Sequence, residues 1–172
     1  MKSDWRSEKI QIMDIIHSSA VDGTGFRDVL FVSGCPHRCD GCHNMQSWDY
    51  SAGKSVLLGD VYDELCESCI TNITFSGGEP FEQCMALSQL ASAIKNNTDK
   101  TIWVYSGYTF ESIICDKSKR KLLELCDVLV DGKYEKNNTE LNIRFKGSLN
   151  QRILDIRKSL DAMEPVEYDL SF

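Results

Sequence analysis

Three cysteines, Cys35, Cys39 and Cys42, fall within eight residues of one another in the stretch Ser-Gly-Cys-Pro-His-Arg-Cys-Asp-Gly-Cys-His-Asn at 33–44. The spacing C-x3-C-x2-C lets one short loop wrap a single soft centre, because thiolates favour soft metals and iron–sulfur clusters. The count carries information. Structural zinc sites and closed electron-transfer clusters take four protein ligands. A cubane held by three thiolates leaves one iron open to another ligand. Gly34 and Gly41 beside the cysteines let the backbone pass close to the centre or adopt positive φ. Taken alone, the same residues also fit half of a zinc site completed from elsewhere, or reduced thiols with no shared role.

A second constellation, Ser-Gly-Gly-Glu-Pro at 76–80, follows an apolar segment. Its glycines let backbone amides and carbonyls approach a ligand without side-chain obstruction, and Glu79 supplies a negative acceptor. Composition narrows the chemistry. Eight cysteines in 172 residues do not read as a disulfide scaffold, since the chain is long for one and its polar N-terminus lacks the apolar core of a secretion signal. A cytoplasmic location is therefore expected, where clustered cysteines are better read as metal ligands. No apolar run approaches a membrane span, so no membrane partner is expected. The net charge of −7 argues against a nucleic-acid partner, whose binder is usually basic.

The elements that must position these residues are readable from periodicity. Residues 10–16 suit an edge strand and 21–27 a glycine-containing turn. The β-branched, apolar run at 28–33 is a buried strand that delivers the chain into the cysteine loop. Residues 44–55 read as loop, and 56–69 as a helix carrying Cys66 and Cys69. A strand at 72–76 ends in the Gly77–Pro80 turn. A helix over 81–95 follows with Phe81, Met85, Leu90 and Ile94 inward, then a polar loop at 96–100. Strands at 101–106 and 128–130 flank one or two short helices over 110–126, and a last short strand lies at 153–156. Strand and helix patterns alternate after residue 28, so the fold class is α/β with a mainly parallel sheet. One domain over 1–172 is expected, with 1–9 and 157–172 as flexible termini.

The cysteine spacing together with the Gly-Gly-Glu-Pro turn resembles the radical S-adenosylmethionine (SAM) superfamily. The flanks Asp-Gly-Thr-Gly-Phe-Arg at 22–27 and Cys-His-Asn-Met-Gln-Ser-Trp-Asp at 42–49 narrow the likeness to activating enzymes of glycyl-radical enzymes. Within these it is greatest to the branch acting on the anaerobic ribonucleotide reductase, over residues 10–156. Three further segments match that branch: Ser106-Gly-Tyr108, Val130-Asp-Gly-Lys133 and the Arg144 to Arg152 stretch. Gly41, where many superfamily members have an aromatic, and the short chain favour it over the pyruvate formate-lyase activases.

The resemblance implies an incomplete, open radical SAM β/α barrel with its site at the carboxyl ends of the strands. It implies one 4Fe–4S cluster on Cys35, Cys39 and Cys42, the catalytic set, and SAM held by Gly41, Cys42, His43, Gly77, Gly78 and Glu79. One electron from the cluster then cleaves SAM to methionine and a 5′-deoxyadenosyl radical, which takes hydrogen from a glycine of the partner. The implied partners are the glycyl-radical subunit of anaerobic ribonucleoside-triphosphate reductase and an electron donor such as flavodoxin or ferredoxin. Asp131 reads equally as a β-turn residue or a site residue, Tyr105 and Tyr108 as core aromatics near the SAM site, and Arg144 and Arg152 as partners of a carboxylate. Three readings stay open beside this one: an activase of another glycyl-radical enzyme, a small-molecule radical SAM enzyme such as a short deazaguanine-forming synthase, and a non-enzymatic zinc or iron–sulfur module.

Overall fold

The computed structural model describes residues 4–171. Seven strands form one open sheet: β1 (Lys9–Ser19), β2 (Arg27–Val32), β3 (Lys54–Leu57), β4 (Asn72–Gly77), β5 (Ile102–Tyr105), β6 (Val128–Asp131) and β7 (Arg152–Asp155). Their order is β3-β1-β2-β4-β5-β6-β7. The central four, β2, β4, β5 and β6, are mutually parallel. Both margins are antiparallel: β1 with β2 and β3, and β7 with β6. The sheet is mixed and does not close, because β3 and β7 are two separate edges.

The parallel strands are buried on both faces, as a continuous apolar run predicts; five of the six β2 positions are buried. On one face lie the helices α1 (Leu58–Cys66), α2 (Cys84–Asn97), α3 (Phe110–Cys115) and α4 (Lys117–Leu123). Ile102 and Val104 of β5 join Leu87, Leu90, Ile94 and Leu122 in that core. The alternate residue Trp103 faces the other way and packs edge-on against Phe145 and Tyr168, with ring centroids 5.7 and 5.5 Å apart. That second face carries loop and C-terminal segments instead of helices, which leaves room for a concave site.

Arg27 shows how the strands are tied at their starts. It is fully buried beneath Trp103, and its guanidinium donates to the carbonyls of Thr24, Ile73 and Thr101 and to the Thr74 hydroxyl. Burial lowers its pKa to about 10.

Several elements differ from the sequence reading. The first part of 56–69 is not helix. Val56 lies in β3, which pairs with β1 from Lys9–Leu57 to Ile12–Lys54, and the helix is confined to α1. Residues 80–83 form a 3-10 turn before α2. Its three-residue period shifts the helical phase, so Phe81 is buried without continuing the α2 stripe; within α2, Met85 lies opposite Leu90 and Ile94 and is 76% exposed, and Leu87 takes the inward place. The stretch expected as flexible tail carries α5 (Ile156–Ala162), capped by Asp155. Beyond it, Tyr168 N–H donates to the Ile153 carbonyl. At the other end, Trp5–Ser7 form a 3-10 turn. Residues 1–3 and 172 lie outside the described residues.

Candidate iron–sulfur site

The four parallel strands all run toward the same end of the sheet, so the segments that leave them meet there. Cys35, Cys39 and Cys42 follow β2, Gly77 to Glu79 end β4, Ser106 to Tyr108 follow β5, and Gly132 to Tyr134 follow β6. Residues of all four segments line one cleft of about 140 Å³, with Trp48 and Gln151 completing the wall. Strand direction alone thus joins two motifs that are 34 positions apart in sequence, counting from Cys42 to Ser76.

The donor set fits a thiolate-bound cluster. All three thiols are partly exposed to the cleft and none is in a disulfide. Burial pushes the Cys35 thiol up, while backbone N–H groups of His37 and Arg38 pull it back down. Asn44 N–H donates to Cys42 Sγ at 3.4 Å. Such amide-to-sulfur hydrogen bonds are among the levers by which a protein tunes a cluster. The indole N–H of Trp48, in the cleft wall, is buried and has no partner among the described residues. A buried orphan donor is costly, and the sulfur of a cluster held in this cleft would offer it an acceptor. No group of three or more His, Cys, Asp or Glu side chains among the described residues is arranged to hold a single metal ion. A four-iron cluster attaches each thiolate to a different iron and does not require that convergence.

The glycines after β4 have a steric cause inside the protein. Gly77 has φ of +104°, and a Cβ there would lie 2.4 Å from the Val32 amide nitrogen. A Cβ on Gly78 would lie 2.5 Å from the Gly34 carbonyl oxygen. The two turns are also hydrogen-bonded, Gly78 N–H to Val32 O and Glu79 N–H to Gly34 O, both 2.7 Å. Glycine at 77 and 78 is thus what lets the β4 turn lie against the cysteine loop.

The other residues singled out in the sequence distribute as follows. Glu79 lines the cleft but is fully buried. His43 is exposed, lies 4.9 Å from the Tyr134 ring, and opens onto an adjoining groove of about 600 Å³. That groove shares Cys42, Tyr105, Tyr134 and Gln151 with the cleft, and Arg144 lines its outer wall. Gly41 borders neither space; its open side lies against the Lys136 side chain. Asp131 is buried and accepts from Phe110 N–H and from Arg152, whose other contacts are to Glu111. Tyr105 donates to the Phe145 carbonyl at 2.8 Å. Cys66 is half-buried at the end of α1 and Cys69 is exposed beyond it. Sequence reasoning gave no role of their own to His37, Trp48, Ser106 and Gly107, although all four lie inside segments it singled out. The signals were positional: His37 stands between two of the cysteines, Trp48 in the flank at 42–49, and Ser106 and Gly107 in the Ser-Gly-Tyr segment at 106–108.

Residues 21–154 match the family model of a 4Fe-4S single cluster domain, which defines the class as an iron–sulfur protein on an open α/β sheet. Curated relatives narrow it. The anaerobic ribonucleoside-triphosphate reductase-activating protein of Pasteurella multocida (strain Pm70) is 35% identical over 143 residues, covering 77% of this chain and 89% of the relative. The protein of that name from Enterobacteria phage T4 is 37% identical over 139 residues, 77% and 86% of the two chains. That from Escherichia coli (strain K12) is 30% identical, covering 80% and 93%. The chain belongs to the family of anaerobic ribonucleoside-triphosphate reductase-activating proteins.

Proposed function

We propose that the chain activates an anaerobic ribonucleoside-triphosphate reductase by radical SAM chemistry, on an open version of the β/α barrel of that superfamily, in the cytoplasm. The observation that carries the reading is the meeting of Cys35, Cys39 and Cys42 with Gly77–Gly78–Glu79 in one cleft. Cys35, Cys39 and Cys42 would hold a 4Fe–4S cluster there, which when bound would supply the single electron for reductive cleavage of SAM to methionine and a 5′-deoxyadenosyl radical, the species that would take hydrogen from a glycine of the reductase.

The chain's own residues do the rest. The three thiolates hold the cluster, and the amides of His37, Arg38 and Asn44 stabilise their negative charge. The β4 turn, kept free of side chains at 77 and 78, presents backbone to the SAM methionyl group. Tyr134 and His43 wall the passage from the cleft to the larger groove, where an extended glycine segment of the partner is to enter. Closing that groove with the partner excludes water from the reacting atoms. A small donor such as flavodoxin or ferredoxin delivers the electron.

The test mixes anaerobically reconstituted protein, SAM, a reductant and the reductase. A doublet electron paramagnetic resonance signal should appear on the reductase, split by the one remaining α-hydrogen, and should collapse when its glycine is deuterated at Cα. Cys39→Ala protein should give none. A strong signal with pyruvate formate-lyase and none with the reductase would overturn the choice of partner. Brisk 5′-deoxyadenosine release with no protein radical would point to a small-molecule substrate.

A further inference from the structure

We propose that His37 is a positioning residue: through the buried carboxylate of Glu79 it locks the cysteine loop onto the turns after β4 and β5. This rests on the cluster reading above but concerns how the chain holds the cluster's ligands.

Glu79 is 0% exposed, and its carboxylate is fully subscribed. Oε1 accepts from Phe81 N–H at 3.1 Å and from the Ser106 hydroxyl at 2.9 Å. Oε2 accepts from Gly107 N–H and from His37 Nε2, both at 2.8 Å. A carboxylate offers about four lone-pair sites, and four groups of the chain lie within hydrogen-bond distance of this one. Three of these donors belong to the β4 and β5 turns; His37 is the one from the cysteine loop. Its side chain is 7% exposed. The ring is held on two further sides. Tyr108 packs edge-on at 4.5 Å, and Gly107 lies so close that a Cβ would sit 2.4 Å from His37 Cδ2.

His37 stands two residues from Cys35 and two from Cys39. Fixing its ring therefore fixes where both sulfurs stand relative to Gly77 and Gly78. The same geometry changes the role of Glu79. With every acceptor site engaged inside the protein, the side chain is a clamp, and the turn meets a ligand through its backbone.

The test compares wild type, His37→Ala and His37→Gln, reconstituted anaerobically. Iron loss to excess EDTA is followed by absorbance, and the reduced cluster's electron paramagnetic resonance spectrum is recorded with and without SAM. Outer-shell partners of metal ligands are typically worth about 10–100-fold, so His37→Ala should lose iron about that much faster and show an altered line shape. His37→Gln, whose amide N–H reaches toward Glu79, should return to near the wild-type rate. If His37→Ala apoprotein does not fold, Gly107→Ala replaces it: the methyl pushes the ring off Glu79 and should give the same acceleration. A wild-type rate and spectrum in the substituted protein, or no rescue by glutamine, would overturn the lock. If wild type takes up no cluster, the functional reading fails separately. The lock is then read from hydrogen exchange of the 35–42 amides in apoprotein, which should quicken in His37→Ala; unchanged exchange would overturn it.

Discussion

Replacing Gly78 by alanine should destabilise the protein before any ligand is added. The added Cβ would lie 2.5 Å from the Gly34 oxygen, 2.9 Å from its carbonyl carbon and 3.1 Å from its nitrogen. Ordinary carbon–oxygen contacts begin near 3.3 Å, so the two turns must part by about 1 Å. The obstacle is backbone, which cannot rotate away as a side chain tip does. A movement of that size stretches the two 2.7 Å bonds from Gly78 N–H to Val32 O and from Glu79 N–H to Gly34 O beyond useful length. Overpacking costs about 1–3 kcal/mol, and each lost hydrogen bond about 0.5–1.5 kcal/mol. Together these come to about 2–6 kcal/mol, against a typical total of about 5–15. Urea unfolding of the metal-free protein at fixed pH measures it. An apoprotein within about 0.5 kcal/mol of wild type, the usual range of a neutral surface change, would refute the steric argument. Weakened SAM binding in such a protein would then mean that Gly78 serves the ligand alone.

Two further outcomes follow from the site and its surroundings. Single Cys35→Ala, Cys39→Ala and Cys42→Ala proteins should fail to retain a cluster on anaerobic reconstitution, while Cys66→Ala and Cys69→Ala keep full iron and sulfide; equal iron loss in Cys66→Ala would mean that the ligand set is wrong. The Arg152 guanidinium holds the Glu111 carboxyl down from 4.5 to about 2, so this pair stabilises the fold above pH 4.5 and loses that contribution as pH falls toward 2. Because Glu111 is 54% exposed, solvent screens the pair and the effect is small. Urea unfolding between pH 5 and pH 2.5 should show a shallower acid slope in Glu111→Gln than in wild type, and identical slopes would rule the pair out as a contributor.

How much of this was legible in the sequence depends on the range of the interaction. The strands that carry the site were visible because both their faces are buried, which forces an unbroken apolar run such as 29–32. Lys54–Leu57 was not, because an edge strand needs few apolar residues and takes its register from β1. Met85 was misplaced for a related reason. It reads as the i+4 neighbour of Phe81, but Phe81 belongs to the 3-10 turn at 80–83, and in α2 itself Met85 lies opposite Leu90 and Ile94. The α5 segment was hidden by the acidic residues and Pro165 that follow it. Its own signals, the Asp155 cap and the buried Ile156 and Ser159, are few because it buries one short face.

The site divides along the same line. Cys35, Cys39 and Cys42 stood out because a local loop needs all three at fixed spacing. Gly77 and Gly78 also stood out, but the sequence suggested a ligand as the reason, and the neighbour that requires them is the backbone at Val32 and Gly34, more than 40 positions earlier. Glu79 is the sharper case. A carboxylate at the end of a strand beside a cluster loop reads as a ligand contact, since sequence gives no account of which donors will surround it. Four donors from three separated segments converge on it in the fold. A lone buried carboxylate would be costly, and these donors remove that cost. Together they also tie three turns to the same point. The rigidity of the cleft therefore resides in residues such as His37 and Ser106, which the sequence shows inside matching segments but whose common partner, the Glu79 carboxylate, only the fold reveals.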